Sequence, residues 1–145
     1  MYGLIQRVSE ASVVVAGETV GAIGPGILLL LGVAREDTHS QAEKLLHKVL
    51  NYRIFPDTNG HMNRCLAEVD GGLLIVSQFT LAADTKKGLR PSFSSAAPPA
   101  LAEQVYDDFV ALARSQHKVV ETGQFGADMA VALVNDGPVT FLLTA

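Results

Sequence analysis

Ile27-Leu28-Leu29-Leu30-Leu31-Gly32-Val33 is the stretch on which the fold turns. Its unbroken apolar part, Ile27 to Leu31, is five residues long, against the roughly 18–20 that a membrane-crossing helix needs. It follows a Pro25-Gly26 turn, and a short apolar run bounded by turn residues reads as a strand buried on both faces. The chain before it has the same rhythm: Leu4 to Val8, Ala11 to Val15, a turn at Ala16-Gly17-Glu18, then Thr19 to Ile23. Short runs divided by turn residues predict a meander or hairpins over the first third of the chain.

Beyond the run, the period changes. Thr38 with Gln41 three positions on suggests a capping box, and Ala42, Leu45, Leu46, Val49 and Leu50 form one helical stripe. Pro56-Asp57-Thr58-Asn59-Gly60 is turn chemistry, with Asn59-Gly60 suited to a tight hairpin. Leu73 to Leu81 is a further strand, and the Lys-, Ser-, Gly- and Pro-rich segment Ala82 to Pro99 is a long connection of a kind that is commonly functional. A second amphipathic helix spans about Ala100 to Gln116, burying Leu101, Val105, Phe109, Leu112 and Ala113. Strands at Val119 to Thr122, Gln124 to Val134 and Val139 to Thr144 close the chain. This order predicts an α+β fold: a single domain over 1–145, with a mixed sheet or barrel-like core and two packed helices, not a strictly alternating doubly wound fold.

With 145 residues, 48% of them apolar, the chain is long enough to bury a core without staples. A single cysteine, Cys65, excludes an intrachain disulfide framework and fits a reducing compartment. Met1 to Arg7 lacks the basic segment and long apolar stretch of an export signal, so the expected location is cytoplasmic, with no membrane partner. The balance of 11 Lys and Arg against 15 Asp and Glu argues against extended nucleic-acid binding, and no DNA partner is expected. The distribution softens this: the last 27 residues hold no Lys or Arg, whereas Lys86, Lys87 and Arg90 crowd one loop and could steer a terminal phosphodiester. His39, His47, His61 and His117 are dispersed without ligand spacing, so neither a metal nor any other cofactor is expected.

Two segments stand apart from the packing pattern. Ser77-Gln78-Phe79-Thr80-Leu81 places polar side chains at the end of a strand otherwise built for a core. Strand alternation would turn Ser77 and Phe79 to one face and Gln78 and Thr80 to the other. No base accompanies Thr80 in this segment, and a hydroxyl of ordinary pKa is a weak nucleophile. Backbone N–H groups freed from the ladder at the strand end are the better candidates, as donors to a developing oxyanion. The second segment is Asn135-Asp136-Gly137-Pro138-Val139-Thr140. Pro138 donates no hydrogen bond and Gly137 gives up packing, so the pair is not strand filler; its ordinary reading is a hairpin turn. An X-Pro bond also reaches the cis form for only about 0.5–1 kcal/mol, which makes a rigid, carbonyl-displaying corner accessible.

Together the two segments resemble the paired signatures of the D-aminoacyl-tRNA deacylase family. Gln6-Arg7-Val8, Ala11-Ser12-Val13, Tyr52-Arg53-Ile54-Phe55 and Arg90-Pro91-Ser92-Phe93-Ser94 extend the likeness along the whole chain. The resemblance implies a homodimeric hydrolase of the ester joining a D-amino acid, or glycine mischarged on tRNA-Ala, to the 3′ end of tRNA. It implies that a cis Gly137-Pro138 pair is lent by one subunit to the pocket of the other. There the Gly137 carbonyl would hold the substrate amino group and exclude L side chains, with Arg7 bracing the lent loop. It implies further that the amides of Phe79 and Thr80 meet the ester carbonyl, and that Ser77, Gln78 and Met129 line the pocket. A non-catalytic module binding RNA ends, and a sister deacylase with a trans Gly-Pro bond acting on certain L-aminoacyl-tRNAs, are the alternatives. An editing domain of archaeal threonyl-tRNA synthetases is disfavoured, because the chain has no appended synthetase.

Overall fold

In the computed structural model, which describes residues 1–145, the run after Pro25 forms β3 (Gly26–Gly32), with six of its seven residues buried. Its side chains alternate between two cores. Ile27, Leu29 and Leu31 join a large cluster with residues of α1 (His39–Asn51) and α2 (Pro99–Gln116), while Leu28 joins a smaller one with Val8, Val13, Leu74 and Val76. Burial on both faces is what an uninterrupted apolar strand requires, and full burial of each such side chain contributes about 1.5–3 kcal/mol.

The expected strands at Leu4–Val8 and Ala11–Val15 are one, β1 (Tyr2–Val15). The reason is β8 (Ala130–Thr144), which pairs with both halves of β1, from Tyr2 opposite Thr144 to Val14 opposite Ala130, register shifts near Val8 absorbing the polar Ser9 and Glu10. On the other side of β1, β2 (Glu18–Ile23) takes the far half and β3 the near half, both antiparallel. Parallel pairing continues from β3 to β6 (Gly72–Ser77) and on to β7 (Val120–Thr122). Gly21 of β2 sits against the Thr122 carbonyl so closely that a Cβ would come within 2.2 Å of it. Glycine there lets β2 approach β7, and the mixed sheet becomes a nearly closed barrel with two helices packed on it, as the α+β reading predicts.

Thr38 does begin α1: its N–H and hydroxyl donate to Gln41 Oε1 at 2.9 and 2.6 Å, and the expected five-residue stripe is buried. On α2 the buried face is Ala102, Val105, Tyr106, Phe109, Val110 and Ala113. Leu101, expected inside, is 39% exposed, and Leu112 is only partly buried, because the stripe turns one residue towards Tyr106 and Val110. The Tyr106 hydroxyl donates to the Ile75 carbonyl at 3.0 Å, and burial first, then Asp107, pushes the phenol up to about 12.

The hairpin expected at Asn59-Gly60 joins β4 (Phe55–Pro56) to β5 (Met62–Arg64), organised by the Asp57 carboxylate. It accepts from the Asn63 amide at 2.9 Å and from the N–H groups of His61 and Asn59 at 3.0 and 2.8 Å, bonds that hold its pKa below the usual aspartate value. The long segment after β6 is less free than expected, since Asp84 bridges Ser92 and Ala96 bridges Ala34. Residues 123–129 are turn, not strand; β8 starts only at Ala130 and then runs on through Gly137-Pro138. No helix is long and apolar enough to cross a membrane.

Candidate active site

β6 ends at Ser77, where the ladder gives way to a 3-10 turn, Phe79–Ala82. Gln78 makes the break: its N–H still donates to the Leu31 carbonyl at 2.8 Å, but its backbone (φ −141°, ψ 77°) leaves the strand. The strict alternation expected over residues 77–80 therefore does not occur. Leu81 donates back to the Gln78 carbonyl and Ala83 to that of Thr80, at 3.1 and 3.2 Å. Phe79 and Thr80 open the turn, and the first N–H groups of a helical turn have no acceptor within it. Both residues are exposed, whereas Ser77 and Gln78 are half-buried. Two adjacent backbone donors thus stand at the mouth of the strand end.

Side-chain chemistry here is neutral. The Gln78 amide donates to Thr80 Oγ1 at 2.5 Å, and an amide cannot take a proton from a hydroxyl. Three of the four histidines are engaged elsewhere, His39 with Glu43, His47 with Asn51 and His117 with the Gly71 carbonyl at 2.7 Å, and His61 is exposed on the hairpin between β4 and β5. Phe79 packs against Phe93, ring centroids 5.1 Å apart, and both rings remain largely open at 56% and 43% exposure. Met129 is held beside the end of β6. The Gly123 N–H donates to the Ile75 carbonyl at 3.1 Å, the Gln124 N–H reaches Met129 Sδ at 3.4 Å, and Met129 packs on the cluster containing Val76.

The Gly137-Pro138 corner is not a hairpin turn. Asn135 lies opposite Val8 and Thr140 opposite Gln6, so residues 136–139 all face Arg7 alone, and β8 bulges outward without ending. The Gly137-Pro138 bond is cis, and both residues are exposed. Arg7 fills the space under the bulge. Its Nε donates to the Asp136 carbonyl at 2.8 Å and its Nη1 to the Ile54 carbonyl at 2.6 Å, with the Asp136 carboxylate 3.6 Å away. Asn135 secures the other flank: its Oδ1 accepts the Val139 N–H at 2.7 Å and its Nδ2 donates to Thr140 Oγ1 at 2.9 Å.

Ser77, Gln78, Phe79 and Thr80 therefore form one group, with Met129 packed on the Val76 cluster of the same strand, and Arg7, Gly137 and Pro138 form another. Within a single chain the two do not meet. Gly137 lies level with Arg7, whereas Ser77 pairs with Leu31, whose β1 partner is Gly3. Four residues along and three strands across separate them by about 19 Å at ordinary strand spacings. Three contributors carried no individual role in the sequence reading: Asn135, Phe93 and the Ile54 carbonyl. An Asn two residues before a Gly-Pro pair is a usable signal, because Asn side chains often bond nearby backbone in turns; the Phe93 contact and the Ile54 carbonyl are tertiary and have no local signature.

The sequence model of a family described as D-Tyr-tRNA(Tyr) deacylase matches residues 4–144. The chain is 66% identical over 143 residues to a D-aminoacyl-tRNA deacylase of Stutzerimonas stutzeri (strain A1501), covering 99% of each, and 60% identical over 145 residues, all of both chains, to one of Azotobacter vinelandii (strain DJ). Among solved structures it resembles a c-Myc DNA unwinding element binding protein, with a TM-score of 0.96 at 41% identity, covering 100% of this chain and 99% of that one. A probable eukaryotic D-amino acid tRNA deacylase shares the fold at a TM-score of 0.78 and 19% identity, covering 99% and 98% of the two chains.

Proposed function

Because the chain belongs to the D-Tyr-tRNA(Tyr) deacylase family and is a hydrolase of the D-aminoacyl ester of tRNA, we propose that two copies build each active site. One copy supplies the strand end at 77–80 and the other the Gly137 corner. The observation that carries this reading is the separation of the two exposed groups within one chain. A second support is the outer edge of β8, which pairs with no strand and leaves Val134, Phe141 and Leu142 exposed. An open apolar edge of that length is normally covered.

In this arrangement the amides of Phe79 and Thr80 donate to the ester carbonyl oxygen, which gains negative charge as water adds. The tetrahedral intermediate then expels the ribose oxygen, giving free amino acid and tRNA. Ser77, Gln78 and Met129 line the pocket. Aminoacyl esters are already activated, and the vicinal ribose hydroxyl orients the attacking water, so the protein needs no strong base. The Gly137 carbonyl accepts the substrate's ammonium and stands where an L side chain would lie. Rejection by a rigid wall admits many D-amino acids and also glycine, which makes glycine mischarged on tRNA-Ala a second substrate. The reaction takes place where charged tRNA is used, in the cytoplasm.

Turnover of D-tyrosyl-tRNA against L-tyrosyl-tRNA at trace enzyme tests the reading: many D turnovers per chain with L esters spared support it. Stoichiometric protection would identify a binding module, and preference for L esters would identify the sister type of deacylase. Thr80→Ala retains turnover within about tenfold, the scale of one lost hydrogen bond. A true nucleophile costs on the order of 10⁶ when removed, so a loss of that size in a folded enzyme would restore Thr80 as the attacking group. Arg7→Ala lowers the D-to-L ratio by about 5- to 30-fold, as about one to two kcal/mol of bracing is lost. An unchanged ratio would remove Arg7 from chiral selection.

A further inference from the structure

We infer that the loop Asp84–Ser92 is the surface that grips the RNA behind the ester, with Lys86, Lys87 and Arg90 contacting backbone phosphates of the acceptor arm; this rests on the deacylase site described above. The chain as a whole is acidic, with 11 basic against 15 acidic side chains, yet these three cations fall within five residues. None of them takes part in an ion pair. The one carboxylate in the loop, Asp84, turns inward to accept the Lys86 N–H at 2.9 Å.

The loop is also held in place. Asp84 and Ser92 exchange both backbone bonds, at 2.7 and 3.0 Å, which closes its base. Ser95 Oγ donates to the Ala82 carbonyl at 2.6 Å, and Phe93 packs on Phe79, so the loop is fastened directly to the turn that carries the two free amides. Residues 84–92 are all exposed. A polyanion whose 3′ end enters at Phe79 and Thr80 has its preceding phosphodiesters nearby, and a pinned cationic loop meets them at a fixed offset. Contacts of this kind are indifferent to base sequence and release counterions. They suit an enzyme that reads only the end of its substrate.

The experiment compares kcat/KM for D-tyrosyl-tRNA and for the D-tyrosyl ester of adenosine, which lacks the phosphates. Wild type and the triple variant Lys86→Ala/Lys87→Ala/Arg90→Ala are each measured from about 50 to about 200 mM salt, a span over which three phosphate contacts account for about a 20- to 40-fold fall. The variant is expected to lose that share of the salt dependence and at least tenfold in rate on tRNA at low salt, while the adenosine ester is cleaved as by wild type. A charge-keeping variant, Lys86→Arg/Lys87→Arg/Arg90→Lys, is expected to behave as wild type. An unchanged tRNA rate and salt slope in the alanine variant overturns the proposal, as does an equal loss on both esters. Wild-type protein inert towards both esters would instead overturn the deacylase site, and this inference with it.

Discussion

A Phe79→Pro enzyme is expected to lose roughly 100- to 1,000-fold in turnover of D-tyrosyl-tRNA, the scale on which one oxyanion-hole donor acts. Proline removes the N–H of residue 79 and little else from the backbone. Residue 79 is the first of its 3-10 turn, where an N–H has no partner within the turn and proline is well accommodated. Gln78 ahead of it, at φ −141° and ψ 77°, is already outside the helical region that a following proline disfavours. The substitution also takes away the ring packed on Phe93, and Phe79→Ala supplies the control, since it removes the ring and keeps the amide. Alanine is expected to retain most of the turnover number. If alanine and proline fall together, the side chain and not the amide carries the effect.

The contrast between Phe79→Pro and Thr80→Ala separates two kinds of catalysis. With Thr80 Oγ1 bonded only to the Gln78 amide, no group nearby withdraws its proton. Backbone donors need no activation and cannot be removed by ordinary side-chain substitution. A site of this kind leaves no cluster of titratable residues in the sequence, which is why its signature is a change of backbone regime at a strand end.

That change was half legible. Polar residues closing Leu73 to Val76 marked the end of the strand, and the apolar runs and helical stripes specified the α+β core, because burial on two faces or one writes directly into residue order. The 3-10 turn at Phe79 has no such signal, since nothing in Ser-Gln-Phe-Thr distinguishes an extended strand end from a tightening one. The merger of Leu4–Val8 with Ala11–Val15 was hidden for a different reason: Ser9 and Glu10 look like a break until β8 is known to run along both halves. Likewise Gly137-Pro138 reads as a turn between strands when only neighbours in sequence are considered. Pairing with β1 on both sides of the corner turns it into a bulge, and that pairing is a long-range property. Leu101 and Tyr106 exchanged burial because both lie near the border of one helical stripe, where tertiary contact decides.

Gly137→Ala should abolish measurable chiral deacylation while leaving the barrel folded. At φ +146° residue 137 occupies backbone that L side chains rarely adopt. A Cβ there would lie 2.7 Å from Val139 Cγ2, 2.9 Å from Val139 N and 3.3 Å from Arg7 Nη2. The valine methyl can swing, but the Val139 nitrogen is fixed by its bond to Asn135 Oδ1. The corner must therefore shift, at a strain of about 1–3 kcal/mol, carrying its carbonyl away from the position proposed for the substrate's ammonium. The corner is exposed, so a Tm within a few degrees of wild type is expected beside the lost activity. Mixing this variant with Phe79→Pro then asks where each half of the site comes from. In a twofold dimer with shared sites, a mixed pair holds one pocket with both faults and one with neither, so random exchange of equal amounts restores about a quarter of wild-type turnover. If both segments serve a pocket within their own chain, no mixed pair contains an intact site, and the mixture stays as inactive as its parents.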